Sequence, residues 1–337
     1  MPVANPSSSQ PSRLNSSQAL SAYPSVDLTP SIGTEISSLQ LRDLLSLPSE
    51  ESARAIRDLA ILVSERGVVF LRDQDISPTE QNELVARMGK GTGRPAESGN
   101  HVHPLAGTDE LGEIFKITPE FNGATRDAYV KSTRASNLWH SDITFEPHPS
   151  DYAILKLNVL PTTGGDTVWA SAYEAYDRLS PAFQTFLSGL TATHIGSPFL
   201  EKASREGLTF AEPRGHPENK GQILEAVHPV IRTNPVTGWR GLFVNKAFTK
   251  RINELTVDES ENLLSYLHHH ITLNHDLQVR FKWSQNAIAL WDNRSTFHCA
   301  TNDYGFTGRS GDRVISVGER PFFDPSSVSR ADSLRKV

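Results

Sequence analysis

A histidine and an aspartate stand two residues apart in the segment Trp139-His140-Ser141-Asp142. Alternate side chains of a strand share a face, so the imidazole of His140 and the carboxylate of Asp142 would converge on one point. With a distant histidine, such a pair forms a 2-His-1-carboxylate facial triad, which holds Fe(II) and leaves positions open for a co-substrate and oxygen. Alone, the His-x-Asp pattern is weak, because it more often marks a polar surface pair.

The segment 289–298, ALWDNRSTFH, could supply the distant histidine. It passes from an apolar strand into a polar turn and ends at His298. Asp292 and Asn293 are typical turn residues, so this segment by itself favours an ordinary turn followed by a half-buried histidine. In combination with the first motif, it completes a set of three metal ligands.

Two arginines, Arg309 and Arg313, follow this histidine. A co-substrate with two carboxylates needs one end on the metal and the other on a fixed cation, and arginine can bind a carboxylate with two parallel hydrogen bonds. The two arginines could hold two different anions, although a solvated basic turn is the simpler interpretation of this segment alone. Thr167, after the glycine pair at 164–165, could place a hydroxyl beside a carboxylate. The lysine of a phosphate-binding loop is absent there.

The elements that must position these side chains predict a mainly β protein with flanking helices. Short β-branched and apolar segments recur at fairly regular spacing between helical ones, which favours a double-stranded β-helix core of the jelly-roll, cupin-like type. We predict a single domain over residues 26–326. Residues 1–25 and 327–337 offer little apolar surface to bury, which predicts a disordered N-terminal tail and a flexible C-terminal tail.

The composition argues against several classes of function. A net charge of −6 and a pI of about 6.1 disfavour nucleic acid or an acidic membrane surface as a partner. The single cysteine, Cys299, rules out an internal disulfide and a cysteine-based zinc site. We find no apolar run long enough to span a bilayer and no secretory signal pattern, so the expected location is the cytoplasm.

Taken together, the motifs resemble the taurine dioxygenase and 2,4-dichlorophenoxyacetate dioxygenase (TauD/TfdA) family of Fe(II)- and 2-oxoglutarate-dependent dioxygenases. The resemblance extends over about residues 36–324. The segments that carry it are WHSDITF (139–145), LPTTGGDTVWAS (160–171), HPVIRTNPVTGWRGLFVN (228–245), ALWDNRSTFHCATNDY (289–304) and RVISVGERPFF (313–323). It implies a double-stranded β-helix, an oxidoreductase that uses Fe(II), 2-oxoglutarate and O2, and a homo-oligomer, either a dimer or a larger assembly.

The resemblance also implies roles for individual residues. Those that match the iron ligands, and hence the catalytic centre, are His140, Asp142 and His298. Those that match the binding site for the distal carboxylate of 2-oxoglutarate are Thr167 and Arg309. The expected substrate contacts are His103, Asn137, Phe248 and Arg313. Of these, Arg313 matches the residue that meets the substrate's anionic group. Ser136 competes with Asn137 for the position of a substrate-binding amide, and Phe248 either lines the pocket or fills the core.

We expect the substrate to be a small anion such as an alkylsulfonate, whose hydroxylation releases sulfite and an aldehyde. Sulfonate-specific members of the family carry a tyrosine where this chain has Ala106, which makes taurine itself doubtful as the substrate. The alternative is a biosynthetic enzyme that hydroxylates, desaturates or cyclises an amino acid or secondary metabolite, and sulfite release would discriminate the two. A binding protein without catalysis is disfavoured, because all three candidate metal ligands and the arginine are present.

Overall fold

The fold is mainly β with several helices, as predicted. The computed structural model describes residues 13–105, 112–117, 134–304 and 308–335. Within these ranges the strands are β1 (Ser25–Asp27), β2 (Thr34–Ile36), β3 (Val68–Leu71), β4 (Ile114–Ile117), β5 (Ser150–Val159), β6 (Thr167–Ser171), β7 (Thr191–Ile195), β8 (Glu225–Pro229), β9 (Ile231–Thr233), β10 (Arg240–Leu242), β11 (Thr249–Ile252), β12 (Gln278–Phe281), β13 (Ile288–Asp292), β14 (Thr296–Ala300) and β15 (Ser310–Val317). The helices are α1 (Leu41–Ser46), α2 (Ser49–Arg66), α3 (Pro78–Gly91), α4 (Ala172–Asp177), α5 (Pro181–Leu187), α6 (Ser197–Glu206), α7 (Val257–Thr272) and α8 (Arg330–Arg335).

Two sheets pack against each other across an aromatic core. A seven-stranded sheet has the order β1-β2-β3-β13-β5-β15-β4, and a three-stranded sheet has the order β12-β6-β14. Phe70 on β3 stacks on Phe281 of β12 with ring centroids 4.1 Å apart. Trp291 on β13 meets Trp169 of β6 at 5.9 Å. The second contact joins β13, the strand that leads to His298, with β6, the strand that contains Thr167.

The central strands β3 and β13 are buried on both faces. Phe70 and Trp291 enter the core between the two sheets, whereas Val69 and Leu290 belong to a second core with residues of α2 and α3. Side chains alternate along a strand, so a strand covered on both sides must be apolar at every position. This explains the unbroken apolar runs in these two segments.

Two helices beside the large sheet have residues at their ends that favour helix initiation or termination. Ser77 and Glu80 form a capping box at the start of α3, and Gly67 at φ 75° follows the last residue of α2. The pKa of Glu80 is lowered to about 2 by hydrogen bonds from the Ser77 backbone and from Arg42. Among the described helices, none combines the length and apolar content needed to cross a membrane.

The described parts of the predicted tails contact the rest of the molecule. Arg13 forms an ion pair with Glu65 of α2 at 2.7 Å, and Ser17 donates two hydrogen bonds, from its backbone and its hydroxyl, to Asp58. At the other end, the backbone N–H of Ala331 donates to Asp177 of α4 at 2.9 Å. Residues 1–12 and 336–337 of the predicted tails lie outside the described residues.

Candidate active site

His140, Asp142 and His298 converge on one point. His140 and His298 are joined as an antiparallel bridge in which each backbone N–H donates to the other's carbonyl, at 3.0 and 2.7 Å. The Oδ1 atom of Asp142 lies 3.7 Å from Nε2 of His140 and 3.9 Å from Nε2 of His298. One ligand atom from each residue lies within 4.8 Å of the others. Two neighbouring side chains, at positions 140 and 142, and the distant His298 thus present three potential metal ligands.

The local structure differs from the expected strand in one respect. His140 follows a 3-10 turn over Ala135–Leu138, and Asp142 already lies in the next turn rather than on a strand. Ile143, at φ 49°, continues that turn with a left-handed backbone. The side chains of His140 and Asp142 therefore converge through a bridge followed by a turn, and not through the two-residue repeat of a strand.

Asn293 holds the carboxylate of Asp142 in place. Its Oδ1 accepts a hydrogen bond from the Asp142 backbone N–H at 3.0 Å, and its Nδ2 donates to Asp142 Oδ2 at 3.1 Å. The indole of Trp291 donates to the same Asn293 Oδ1 at 3.1 Å, which fixes the amide orientation. Because Oδ2 is engaged by Asn293, Oδ1 is the oxygen that faces the two imidazoles. The sequence marked Asn293 only as a turn residue.

The electrostatics favour the protonation states that bind a metal. Nδ1 of His140 lies 2.8 Å from the carbonyl of Leu138, which places the proton there and leaves the Nε2 lone pair available. Burial lowers the pKa of His298 to about 3, so its ring is neutral. Burial alone would raise the pKa of Asp142, but Arg313 and His298 outweigh it and lower that pKa. Two imidazoles and a carboxylate fit a divalent transition metal such as Fe(II).

Arg313, on β15, contacts the same carboxylate. Its Nη1 donates to Asp142 Oδ1 at 3.1 Å, and its guanidinium lies 5.2 Å from the ring centroid of Phe115. The sequence placed this arginine near a substrate anion but did not anticipate the ion pair. Arg313 is the one cationic residue among the four expected substrate contacts. The ion pair places it beside the candidate metal ligands.

A cavity of about 70 Å³ is lined by two of the three candidate ligands, His140 and Asp142. Three of the four expected substrate contacts, His103, Phe248 and Arg313, line it. The ring of His103 stacks on Phe115 at 4.8 Å, and burial, followed by Arg313, lowers the His103 pKa to about 3. Asn137 lies in the 3-10 turn and is not among the described residues that line this cavity. Ala106 lies outside the described residues.

His101 also lines the cavity, although the sequence analysis did not select it. It is 4% exposed, and its Nε2 has no hydrogen-bond partner among the described residues. Its only sequence signal is the two-residue spacing from His103. Burial holds the pKa of His101 well below its usual value, so the ring is a neutral polar group in the cavity wall.

Thr167 and Arg309 form a second polar pair nearby. Arg309 is 4% exposed, and its Nη2 donates to Thr167 Oγ1 at 3.4 Å while its Nε donates to the Gly165 carbonyl at 3.1 Å. Trp283 also donates to the Thr167 hydroxyl, at 3.1 Å. The β6–β14 register sets Thr167 opposite Ala300, two residues beyond His298. The two residues that the sequence analysis assigned to 2-oxoglutarate are therefore in contact with each other.

Cys299 contributes no reactive thiol to the site. It is buried, and burial raises the pKa of its thiol to about 12. A thiolate is the nucleophilic form, so this cysteine is inert at neutral pH.

The known proteins to which this chain is similar are dioxygenases. The family model described as "Taurine catabolism dioxygenase TauD, TfdA family" matches residues 25–316. The chain is 42% identical to the alpha-ketoglutarate-dependent dioxygenase btcD of Neocamarosporium betae, covering 94% of this chain and 96% of the relative. It is 33% identical to the alpha-ketoglutarate-dependent sulfonate dioxygenase of Saccharomyces cerevisiae, covering 88% of this chain and 67% of the relative. A taurine dioxygenase structure from Burkholderia xenovorans superposes with a TM-score of 0.68 at 27% identity, covering 89% of this chain and 90% of that one.

Proposed function

Because the chain belongs to the TauD, TfdA family of 2-oxoglutarate-dependent dioxygenases, we propose that it oxidises a small anionic substrate at the site formed by His140, Asp142 and His298. In this proposal these three residues hold Fe(II). The observation that carries it is the convergence of their ligand atoms within 4.8 Å, beside a cavity. Bound iron supplies the activation of O2, coupled to the oxidative decarboxylation of 2-oxoglutarate.

We assign Thr167 and Arg309 to the distal carboxylate of 2-oxoglutarate. Their polar atoms lie together and are almost completely buried, so a carboxylate there would meet an unscreened guanidinium. The β6–β14 pairing keeps this pair at a fixed separation from His298. These residues therefore orient the co-substrate so that its keto acid end is directed to the metal ligands.

We assign Arg313 and His103 to the substrate. Arg313 is the charged donor at the cavity wall, and a substrate anion would share it with Asp142. The aromatic side chains of Phe115, Phe199 and Phe248 surround the remaining volume and exclude water from the reacting carbon. Asn137, expected to contact the substrate, stands outside this arrangement and would need to approach from the preceding turn.

An alkylsulfonate is the first substrate class to consider, because the yeast relative is named a sulfonate dioxygenase and the pocket carries a cation. A biosynthetic oxidation of an amino acid or secondary metabolite is the second. The relatives esdpJ of Penicillium shearii, oryG of Aspergillus oryzae and btcD, which are 38–42% identical, are named only as dioxygenases. Their names indicate no sulfonate substrate.

Product analysis tests the function. Enzyme supplied with Fe(II), 2-oxoglutarate and a panel of alkylsulfonates is expected to form succinate and sulfite together, and Asp142→Ala is expected to abolish both. The matched control is Asp276→Ala, which removes a carboxylate that is 78% exposed. Succinate coupled to another product, with no sulfite from any sulfonate, would select the biosynthetic alternative. Succinate formation that survives in Asp142→Ala would contradict the assigned centre.

We further propose that the two packed sheets form a double-stranded β-helix, or jelly roll, within one domain over residues 26–326. The support is the shared aromatic core and the antiparallel pairing of most strands. We also propose a cytoplasmic enzyme that acts as a homo-oligomer, with small molecules rather than nucleic acid or membrane as partners. Light scattering on the purified enzyme tests the oligomer, and a monomer at all concentrations would contradict it.

A further inference from the structure

A second cluster of metal-binding side chains lies outside the active site. His148 stands just before β5, and His216 and Glu218 belong to the loop between α6 and β8. One ligand atom from each lies within 4.8 Å of the others. We propose that His148, His216 and Glu218 bind a divalent transition metal ion of the zinc class, and that this ion fastens the loop to the segment that follows Asp142. The proposal does not depend on the function of the active site.

His148 provides the strongest indication of a ligand. Its side chain is nine-tenths buried, yet neither ring nitrogen makes a hydrogen bond of normal geometry with the described residues. The backbone of Gly318 lies close enough to favour the charged ring, but burial and the neighbouring His216 lower the His148 pKa. A buried polar group without a partner is rare in proteins and calls for an explanation, such as an ion.

The second imidazole is stacked on the first. The ring centroids of His148 and His216 are 3.6 Å apart, and the ring planes differ by 15°. Two positively charged rings at this distance would repel each other strongly. Burial lowers the pKa of His216 as well. Both rings are therefore in the neutral form that a metal requires. The lone pair of His216 Nδ1 accepts a hydrogen bond from the Glu218 N–H at 3.1 Å, so metal binding must exchange one ordinary hydrogen bond for a coordinate bond.

Glu218 supplies the negative charge. Its Oε1 lies 3.6 Å from His148 Nε2, while its Oε2 is held by Arg320. Ligands at about 2.1 Å from a tetrahedral zinc ion are about 3.4 Å apart. The ligand atoms of this cluster, which lie within 4.8 Å of one another, must therefore move closer by up to about 1.4 Å, and the two stacked rings must turn toward the ion. Glu218 is half exposed, which gives an ion a route of entry and leaves room for water as a fourth ligand.

The loop that carries two of these ligands also supports the cavity. The buried Arg214 pairs with Glu146, four residues after Asp142, and the carbonyl of Gly215 accepts a hydrogen bond from Gly99 at 2.7 Å. Gly99 lies two residues before His101 in the cavity wall. An ion between His148 and this loop would therefore reinforce the support of the active-site wall from outside.

The experiment measures zinc stoichiometry by equilibrium dialysis with Zn2+ alone, in the full-length protein. The double variant His140→Ala/His298→Ala removes the first cluster, so we expect it to retain a single equivalent of zinc. Adding His216→Ala is expected to remove that equivalent. Adding His269→Ala instead, at an exposed histidine of α7, is the matched control and should leave it in place. X-ray absorption of the retained zinc should show imidazole ligands.

Glu218→Gln provides a test that does not depend on a buried position. It preserves shape at a half-exposed side chain, so folding is not at risk, and we expect it to weaken zinc binding by about tenfold or more. The proposal is overturned if the double variant retains no zinc, or if its zinc is insensitive to both His216→Ala and Glu218→Gln. Failure here leaves the succinate assay of the active site unaffected, so the two proposals can fail separately.

Discussion

At the scale of single residues, the orientation of one carboxylate decides what the candidate metal centre can do. Asp142 has two oxygens, and Asn293 engages Oδ2 while Oδ1 faces His140 and His298. The amide also accepts from the Asp142 backbone, so the side chain and main chain are held together. Residues that position metal ligands in this way affect metal affinity without touching the metal.

Asn293→Ala tests this role. Removing the amide frees the Asp142 carboxylate to rotate, so we expect the concentration of Fe(II) needed for half-maximal activity to rise by about 10- to 100-fold. The KM for 2-oxoglutarate at saturating iron should change little. Asn262→Ala, on the exposed side of α7, is the control. An unchanged iron requirement with reduced maximal activity would mean that Asn293 acts in some other way.

The two arginines that follow His298 are expected to divide two anions between them. We expect Arg309→Ala to raise the KM for 2-oxoglutarate, and Arg313→Ala to raise the KM for the primary substrate, each by about tenfold or more, because each removes a charged hydrogen bond. Steady-state kinetics at saturating Fe(II) separates the effects, provided that kcat and KM are both determined. If Arg313→Ala raised both KM values equally, Arg313 would belong to the co-substrate site.

At the scale of elements, an irregularity in β15 sets the positions of these arginines. The pairing of β15 with β5 shifts between Ser310 and Gly311, directly between Arg309 and Arg313. An added Cβ at Gly311 would collide with the carbonyl of Lys156 and lie 2.9 Å from the Cα of Leu157. The close approach of the two backbones therefore requires glycine. A register shift of this kind changes the direction in which the following side chains leave the strand.

Gly311→Ala should separate the strands at this point. We expect a loss of about 1–3 kcal/mol in the free energy of unfolding, together with a higher KM for 2-oxoglutarate because Arg309 is displaced. Urea unfolding and steady-state kinetics provide the two measurements. Gly189→Ala is the matched control, since a Cβ there meets nothing within 4 Å. If Gly311→Ala unfolded with the same free energy as the wild type, β5 would be able to move away from β15 without loss of stability.

At the scale of the whole molecule, both ends of the described chain pack on the body. The N-terminal residues 13–19 bind α2 through Asp58 and Glu65, and α8 binds α4 through Asp177. In the contact between α8 and α4, the charged form of Asp177 is disfavoured. Burial, despite the hydrogen bond from Ala331, raises its pKa to about 6.

This raised pKa predicts a pH-dependent stability. The folded state holds the Asp177 proton more tightly than the unfolded state, whose carboxyl titrates near 3.8. The free energy of unfolding should therefore fall as pH rises from about 4 to about 6. The difference between a pKa of 3.8 and one of about 6 corresponds to about 3 kcal/mol, which partial exposure reduces to about 1–2 kcal/mol. The effect is thus a loss of stability at neutral pH.

Asp177→Asn should remove the penalty, because an amide can still accept from Ala331 and does not ionise. Urea unfolding of variant and wild type at about pH 4 and about pH 7 should show a stability difference that grows in favour of the variant with pH. Asp276→Asn, at an exposed position, is the control. A difference that does not vary with pH would contradict the raised pKa.

Local patterns account for what could be predicted of the fold. The apolar runs at β3 and β13 and the Ser77–Glu80 capping box depend on neighbours within one turn or one strand, so they are visible in the sequence. The same holds for the family, whose motifs are short and contiguous. The tail prediction for residues 13–25 rested on composition, which cannot reveal that Ser17 and Arg13 have partners on α2.

Residue types and short motifs were enough to nominate the side chains that we propose to bind a metal and two anions. The pairs of atoms that meet could be read from the folded chain alone: Asp142 Oδ1 with Arg313, Asn293 with Asp142 Oδ2, and His148 with the loop at 216–218. The physical reason is that these contacts join segments far apart in the chain. Their geometry depends on strand register and loop packing, which no local repeat encodes.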